Sequence, residues 1–382
     1  MKQLRVMSIF GTRPEAIKMA PLVKELERRE GLESLCCVTA QHREMLDSVL
    51  DIFNIKPDFD LNIMEPGQTL STITTKCLLG LEKVFGEAKP DLVLVHGDTS
   101  TAFSAALAAF YGQIKVGHVE AGLRTYDKYS PFPEEMNRTL VGDLADLHFS
   151  PTAANRDNLR REGITKNVFL TGNTVIDAMA TTVRADFQFG TDVLNHLDYE
   201  NKTIIAVTCH RRENYGVPMK NIMTALRRLV ETYPQVELVY PVHLSPMVRE
   251  AAGKYLEGHD RIHLIDPVDV EEMHNLMARC KFVMTDSGGL QEEAPALGKP
   301  VLVLRRETER PEAVEAGTVK LAGTDEETIF SLGSQLITDP TAYDAMAHAV
   351  NPYGDGRACR RIADAIEHFF GLRAEPPAEF GV

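Results

Sequence analysis

No apolar run in this 382-residue chain reaches the length that crosses a bilayer, and Met1-Lys2-Gln3 leads directly into an apolar, strand-like run. Neither a spanning helix nor a secretory signal is expected, and the expected address is the cytoplasm. Positive charge is scarce: 41 Lys and Arg against 55 Asp and Glu leave a formal net charge of −14. A general binder of nucleic acid or anionic membrane needs a basic field, so neither partner is expected. A local basic pocket for a small phosphate ligand stays open. The cysteines (Cys36, Cys37, Cys77, Cys209, Cys280, Cys359) form no C-x-x-C pair, and no H-E-x-x-H occurs. They read as reduced, buried small hydrophobes, with no metal site. No G-x-G-x-x-G follows the first strand and no Walker A occurs. Nicotinamide chemistry and nucleoside triphosphate hydrolysis lose their usual cradle, and no cofactor is expected.

A hydrophobic content of 44% with 25% charged residues suits a soluble globular chain with a substantial core, and the length suggests two to three domains. Short apolar runs alternate with helix-period runs throughout. Strands are expected at 4–10, 35–39, 91–95, 115–119, 147–150 and 168–170, with helices at 42–53, 69–85, 101–111 and 134–144 between them. Around 186–201 the periodicity fades. A second series follows, with strands at 203–208, 236–240, 262–265, 282–284, 301–304 and 318–321. The reading is α/β, two Rossmann-like doubly wound domains with a central cleft. Residues 1–185 form the first domain, 186–201 a junction, 202–356 the second domain and 357–372 a closing helix. A tail at 373–382, with Pro376-Pro377, is expected to be disordered.

The stretch at 282–312 is the most informative. Phe282-Val283-Met284 reads as a buried strand, Thr285-Asp286-Ser287-Gly288-Gly289 as a turn, Leu290 to Leu297 as a helix, and Val301 to Leu304 as the next strand. Such a turn presents free amides at a helix start, where a phosphate prefers to sit. Glu292 and Glu293 in the first helical turns suit the hydroxyls of a ribose, and Arg310 adds a cation.

Other strand ends carry Arg13, Lys18, Asp98, Glu120, Glu134, Arg138, His210 and His243. Acids on one wall and an anion cradle on the other suit proton transfer on a ligand anchored by its phosphate. Each also has a plainer reading. Asp98, between Gly97 and Thr99, could cap the following helix. Glu120 could be a structural hydrogen bonder. Glu134 and Glu135 suit a helix start, with Arg138 as an i,i+4 partner. His210, between Cys209 and Arg211-Arg212, is less easily explained that way.

Taken together, these motifs resemble the non-hydrolysing UDP-N-acetylglucosamine 2-epimerases. The resemblance runs in order from Phe10-Gly11-Thr12-Arg13-Pro14-Glu15-Ala16-Ile17-Lys18 through Thr39-Ala40-Gln41-His42-Arg43 and His96-Gly97-Asp98-Thr99. It continues through His118-Val119-Glu120-Ala121-Gly122-Leu123-Arg124, Pro133-Glu134-Glu135-Met136-Asn137-Arg138, His210-Arg211-Arg212-Glu213-Asn214 and 285–312. The family implies the glycosyltransferase-B architecture, a homodimer, and interconversion of UDP-N-acetylglucosamine and UDP-N-acetylmannosamine for cell-surface polysaccharide. The implied chemistry is anti elimination of UDP to an enzyme-bound 2-acetamidoglucal, then syn re-addition. Its catalytic positions match Asp98, Glu120, Glu134, Arg138 and His210. Its UDP-contacting positions match Arg13, Lys18, His210, Ser287, Gly288, Gly289, Glu293 and Arg310. Some members are activated by UDP-N-acetylglucosamine at a second site, and its positions match Gln41, Gln68, Glu135, Arg211 and His243.

One position departs from the family. Met273 stands where members often carry a phenylalanine against the uracil, and its thioether can still cover a base face. The alternatives are a hydrolysing relative that releases UDP and free sugar, an epimerase of a modified diacetamido sugar, a glycosyltransferase on the same fold, and a UDP-sugar sensor without chemistry.

Overall fold

The computed structural model describes residues 3–40, 43–65 and 67–381, with only the backbone at 43–45. The chain forms two compact units, Met1–Thr181 with Tyr353–Val382, and Thr182–Pro352.

The first unit holds β1 (Leu4–Phe10), β2 (Leu32–Val38), β3 (Phe59–Asp60), β4 (Leu92–His96), β5 (Lys115–Val119), β6 (Leu147–Ser150) and β7 (Val168–Leu170). Their order is β3-β2-β1-β4-β5-β6-β7, and every pairing is parallel. The second holds β8 (Thr203–Thr208), β9 (Val236–Pro241), β10 (Ile262–Ile265), β11 (Phe282–Thr285), β12 (Val301–Val303) and β13 (Val319–Leu321), ordered β10-β9-β8-β11-β12-β13, again all parallel. Each sheet is wound outward from a central strand, then restarted on that strand's other side. The α/β doubly wound expectation is therefore met twice. In such sheets a crevice opens at the carboxyl ends of the two strands flanking the restart. Here those pairs are β1/β4 and β8/β11.

Strand cores are apolar on both faces because helices cover both. Met7, Ile9, Val93 and Val95 lie at 0% exposure beneath the alanine-rich helix Ser100–Tyr111, whose Ala102, Ala105 and Ala109 let it approach closely. In the second unit Ile205, Val207, Leu238 and Met284 pack under Leu226 and Leu229 of the helix Val217–Thr232. Among the described residues no helix is long and apolar enough to cross a membrane.

The units divide at other points than the fading periodicity suggests. Residues 182–191 belong to the second unit because the helix Val270–Arg279 binds them with buried polar side chains. Asn275 Nδ2 donates to Thr182 O (2.7 Å), His274 Nδ1 meets Thr182 Oγ1 (2.7 Å), and Glu272 accepts from Thr191 N (2.7 Å). The chain returns to the first unit at Tyr353. There the Asp177 carboxylate accepts from Ala358 N and Cys359 N (3.1 and 2.9 Å), capping the helix Ala358–Phe369. The closing helix is thus part of the first unit. Nor does the tail behave as expected: Phe380 N donates to Leu170 O (2.9 Å), and Glu379 pairs with Arg156 (3.0 Å).

Candidate functional site

In the first unit the candidate side chains gather at the restart between β1 and β4 and on neighbouring β5. Gly11, just past β1, is closely enclosed, since a Cβ there would lie 1.9 Å from Thr39 Oγ1. Pro14 and the capping box of Thr12 and Glu15 then start the helix Arg13–Glu27. Glu15, 2% exposed, accepts from Gly11 N, Thr12 N and Thr12 Oγ1, and from Thr99 Oγ1 at 2.6 Å. One buried carboxylate thereby ties the end of β1 to the loop after β4, and burial raises its pKa.

Glu120 follows β5 in a left-handed conformation, φ 63°. Its Oε2 receives Lys18 Nζ and Asn173 Nδ2 (3.1 Å), with His96 Nε2 at 3.6 Å. Burial pushes this carboxyl up, but the Lys18 ammonium and His96 override it, and its pKa lies well below the usual carboxylate value. Asp98 pairs with Arg138 Nη2, while Asn137 Nδ2 donates to Asp98 O (2.9 Å). Asp98 is not the helix cap. Thr99 takes that place, its hydroxyl accepting from Ala102 N. Nor does Arg138 pair with Glu134; it bridges Asp98 and Glu135 (3.4 Å). Glu134 opens the helix Glu134–Leu144, and among the described residues no hydrogen bond or ion pair engages its carboxylate. The same holds for the half-buried guanidinium of Arg13.

In the second unit β8 and β11 end side by side, and Asp286 organises both ends. At 0% exposure, its Oδ2 accepts from His210 N, Arg211 N and Asn214 Nδ2 at 2.8, 2.8 and 3.0 Å, and its Oδ1 lies 3.4 Å from His210 Nδ1. The His210 ring stacks on His243, with centroids 5.3 Å apart and planes 14° from parallel. Burial lowers the His210 pKa, Asp286 pulls the other way, and His243 and Arg211 lower it further; the net shift is downward. Opposite this loop, Ser287 N is taken by Thr285 Oγ1 (2.9 Å), whereas no acceptor among the described residues takes the amides of Gly288 and Gly289. Those amides form an anion-ready turn.

The two glutamates after this turn separate by role. Glu292, 4% exposed, pairs with Arg310. Glu293 sits beside the turn, 3.3 Å from His274 Nε2. Arg310 is therefore already held by a carboxylate, and Lys18 is held by Glu120 in the other unit. Met273 lies half-buried on the helix Val270–Arg279.

The second-site positions fall in both units. Gln41 lies outside the described residues. Gln68 Oε1 accepts from Glu65 N (3.3 Å). Glu135 is 3% exposed and accepts from Thr125 N and Tyr126 N (3.0 and 2.8 Å), so it serves the loop backbone. Arg211 and His243 flank His210.

Asn173, His96 and Glu15 in the first unit, and Asp286 and Asn214 in the second, were not singled out from the sequence. A polar residue within a few positions of a buried strand's end was the available signal. His96, Asp286 and Asn173 satisfy it, while Glu15 and Asn214 lie five and six residues beyond their strands.

A family model described as UDP-N-acetylglucosamine 2-epimerase matches residues 24–367. A UDP-N-acetylglucosamine 2-epimerase of Bacillus subtilis is 58% identical over 381 residues, covering 100% of this chain and 99% of that one. The structure of an S. aureus MnaA–UDP complex superimposes with a TM-score of 0.89 at 53% identity, covering 99% and 100% of the two chains. That of UDP-GlcNAc 2-epimerase from Neisseria meningitidis bound to UDP-GlcNAc gives 0.85 at 48% identity, covering 95% and 99%. The two-sheet architecture is the glycosyltransferase-B one. With most of its length matched by the family model and full-length relatives above half identity, this chain belongs to the UDP-N-acetylglucosamine 2-epimerase family.

Proposed function

We propose that the chain interconverts UDP-N-acetylglucosamine and UDP-N-acetylmannosamine without net hydrolysis. The observation that carries this reading is Glu120, an ionised carboxylate at a strand end with one oxygen held by Lys18 and Asn173. In the forward step Glu120 accepts the C2 proton. The C2–H electron pair becomes the C1=C2 bond of 2-acetamidoglucal, and the C1–O bond breaks with its electrons leaving on UDP. In the return step a proton reaches C2 from the opposite face, and a UDP oxygen re-forms the C1–O bond. Elimination is anti and re-addition syn. Asp98, charge-paired with Arg138, and Glu134 complete the carboxylate set that returns the proton.

The C2 proton, on the carbon that bears the acetamido group, is weakly acidic, so the departing diphosphate must be stabilised. Arg13, His210 and the free amides of Gly288 and Gly289 suit that task, Glu293 suits the ribose and Met273 the uracil. Arg310 and Lys18 reach UDP if ligand charge competes with Glu292 and Glu120. Retention of UDP separates this reaction from hydrolysis.

Proton NMR in deuterated water tests the reading. The expected outcome is a new UDP-N-acetylmannosamine signal, deuterium at C2 and little free UDP. Free N-acetylmannosamine with stoichiometric UDP would identify the hydrolysing reaction instead. We also take the chain as a homodimer with a second UDP-N-acetylglucosamine acting as activator through Arg211 and His243. A sigmoidal rate curve in the UDP-N-acetylmannosamine direction, made hyperbolic by added UDP-N-acetylglucosamine, is its expected signature.

A further inference from the structure

We infer that Asn173 is the positioning residue that fixes Glu120 for proton transfer, and that it does so from an anchor on the chain's return segment at Tyr353. The inference rests on the epimerase reading above and adds a residue to it.

Glu120 ends its strand in a left-handed conformation and carries a side chain 13% exposed. All its partners among the described residues reach one oxygen, Oε2: Lys18 from the helix Arg13–Glu27, His96 from the end of β4, and Asn173 from beyond β7. None reaches Oε1, which is therefore the oxygen left to take a proton. Lys18 supplies charge on a flexible stem, which can set protonation but gives little directional hold. His96 lies at 3.6 Å, too far for a good hydrogen bond. Asn173 is the short, directional neighbour.

Asn173 is itself pinned at both ends. It is 4% exposed, its Oδ1 accepts from Val175 N (3.1 Å), and its own N donates to Tyr353 O (2.6 Å). The Val175 amide must face an oxygen, so Nδ2 is the atom turned to Glu120. An amide is required here. A carboxylate in the same place would set two acceptors against each other. Tyr353, 3% exposed, is the first residue after the chain re-enters the first unit. The carboxylate is thus registered against two segments far apart in sequence, and neither needs to touch the sugar.

The test compares wild type, Asn173→Asp and Asn173→Ala by the NMR assay across pH, alongside KM and thermal unfolding. Wild-type turnover is the control, and its absence sinks the epimerase reading itself. Given turnover, Asn173→Ala is expected to lose about tenfold in kcat with KM within about twofold. Asn173→Asp, of the same size, is expected to move the acid limb of kcat upward by about one pH unit, because a second carboxylate faces Glu120. The charged and titratable groups already facing Glu120, Lys18 and His96, are unchanged in both variants. An acid limb that stays in place in Asn173→Asp overturns the inference, whatever the alanine variant does. So does a kcat loss in both variants that follows their thermal destabilisation with no movement of the limb.

Discussion

Glu120 and Asp98 occupy matching places, one residue past β5 and two past β4, yet they are held differently. Glu120 is kept ionised against burial by a lysine. Because its folded pKa is depressed, its stabilising contribution is present above the ordinary carboxylate pKa and is lost as pH falls through the folded value. Replacing Lys18 by Met leaves burial as the main influence, so the acid limb of kcat should move to higher pH, read from a pH–rate profile. Asp98 pairs with Arg138 and is 27% exposed. Asp98→Asn is expected to lower kcat by about 100-fold or more while UDP affinity by calorimetry holds, since no phosphate-binding group is touched. A variant with normal turnover would remove Asp98 from the mechanism. Both acids were legible in the sequence because buried apolar strands run straight into them. Asn173 and Asp286 were not, because their significance lies in partners tens of residues away: Glu120 and Tyr353 for one, His210 and Asn214 for the other.

At the scale of elements, the loop from β5 to the helix Glu134–Leu144 depends on two fixed points. Gly122 has φ +95°, and a Cβ there would lie 2.2 Å from Asn155 O, a backbone atom that cannot swing aside. Gly122→Ala is expected to destabilise by on the order of 3 kcal/mol in a urea titration. The second point is the Glu135 carboxylate, which takes two loop amides and faces Arg138. Glu135→Gln weakens those charge-assisted bonds and should speed limited proteolysis between residues 126 and 133. The helix Glu134–Leu144 was readable to the residue, because Pro131 and Pro133 precede its acidic first turn. The strand Phe59–Asp60 was not, since two residues carry no period and the pairing with β2 alone defines it.

At the scale of the whole molecule, two buried histidines of the first unit tie stability to acid. His118 and His148 are buried, and burial lowers their pKa values to about 3 and about 4. Both lie below the unfolded value of about 6.5, so the unfolded chain binds more protons and stability rises with pH across that interval. Each contributes roughly 2 kcal/mol of loss between pH 7.5 and pH 5, about 4 together. Denaturant titrations at the two pH values check this, and His148→Gln should recover about half. The doubly wound plan was visible in the alternation of elements. The crossing points were not, because hydrogen bonds from Glu272, His274 and Asn275 recruit residues 182–191, and Asp177 recruits the final helix.

That division has a consequence on the ribosome. The second unit, Thr182–Pro352, is a continuous insertion, while the first needs both ends of the chain. About 180 residues separate Asn173 from Tyr353, on the order of ten to thirty-five seconds of synthesis at ordinary rates. For that interval all seven strands of the first sheet have been made while the helix and tail that complete their unit have not. The nascent chain must wait with the Leu170 carbonyl at the end of β7 and the Asn173 amide not yet met by Phe380 and Tyr353, which makes this the stage at which a chaperone would meet it.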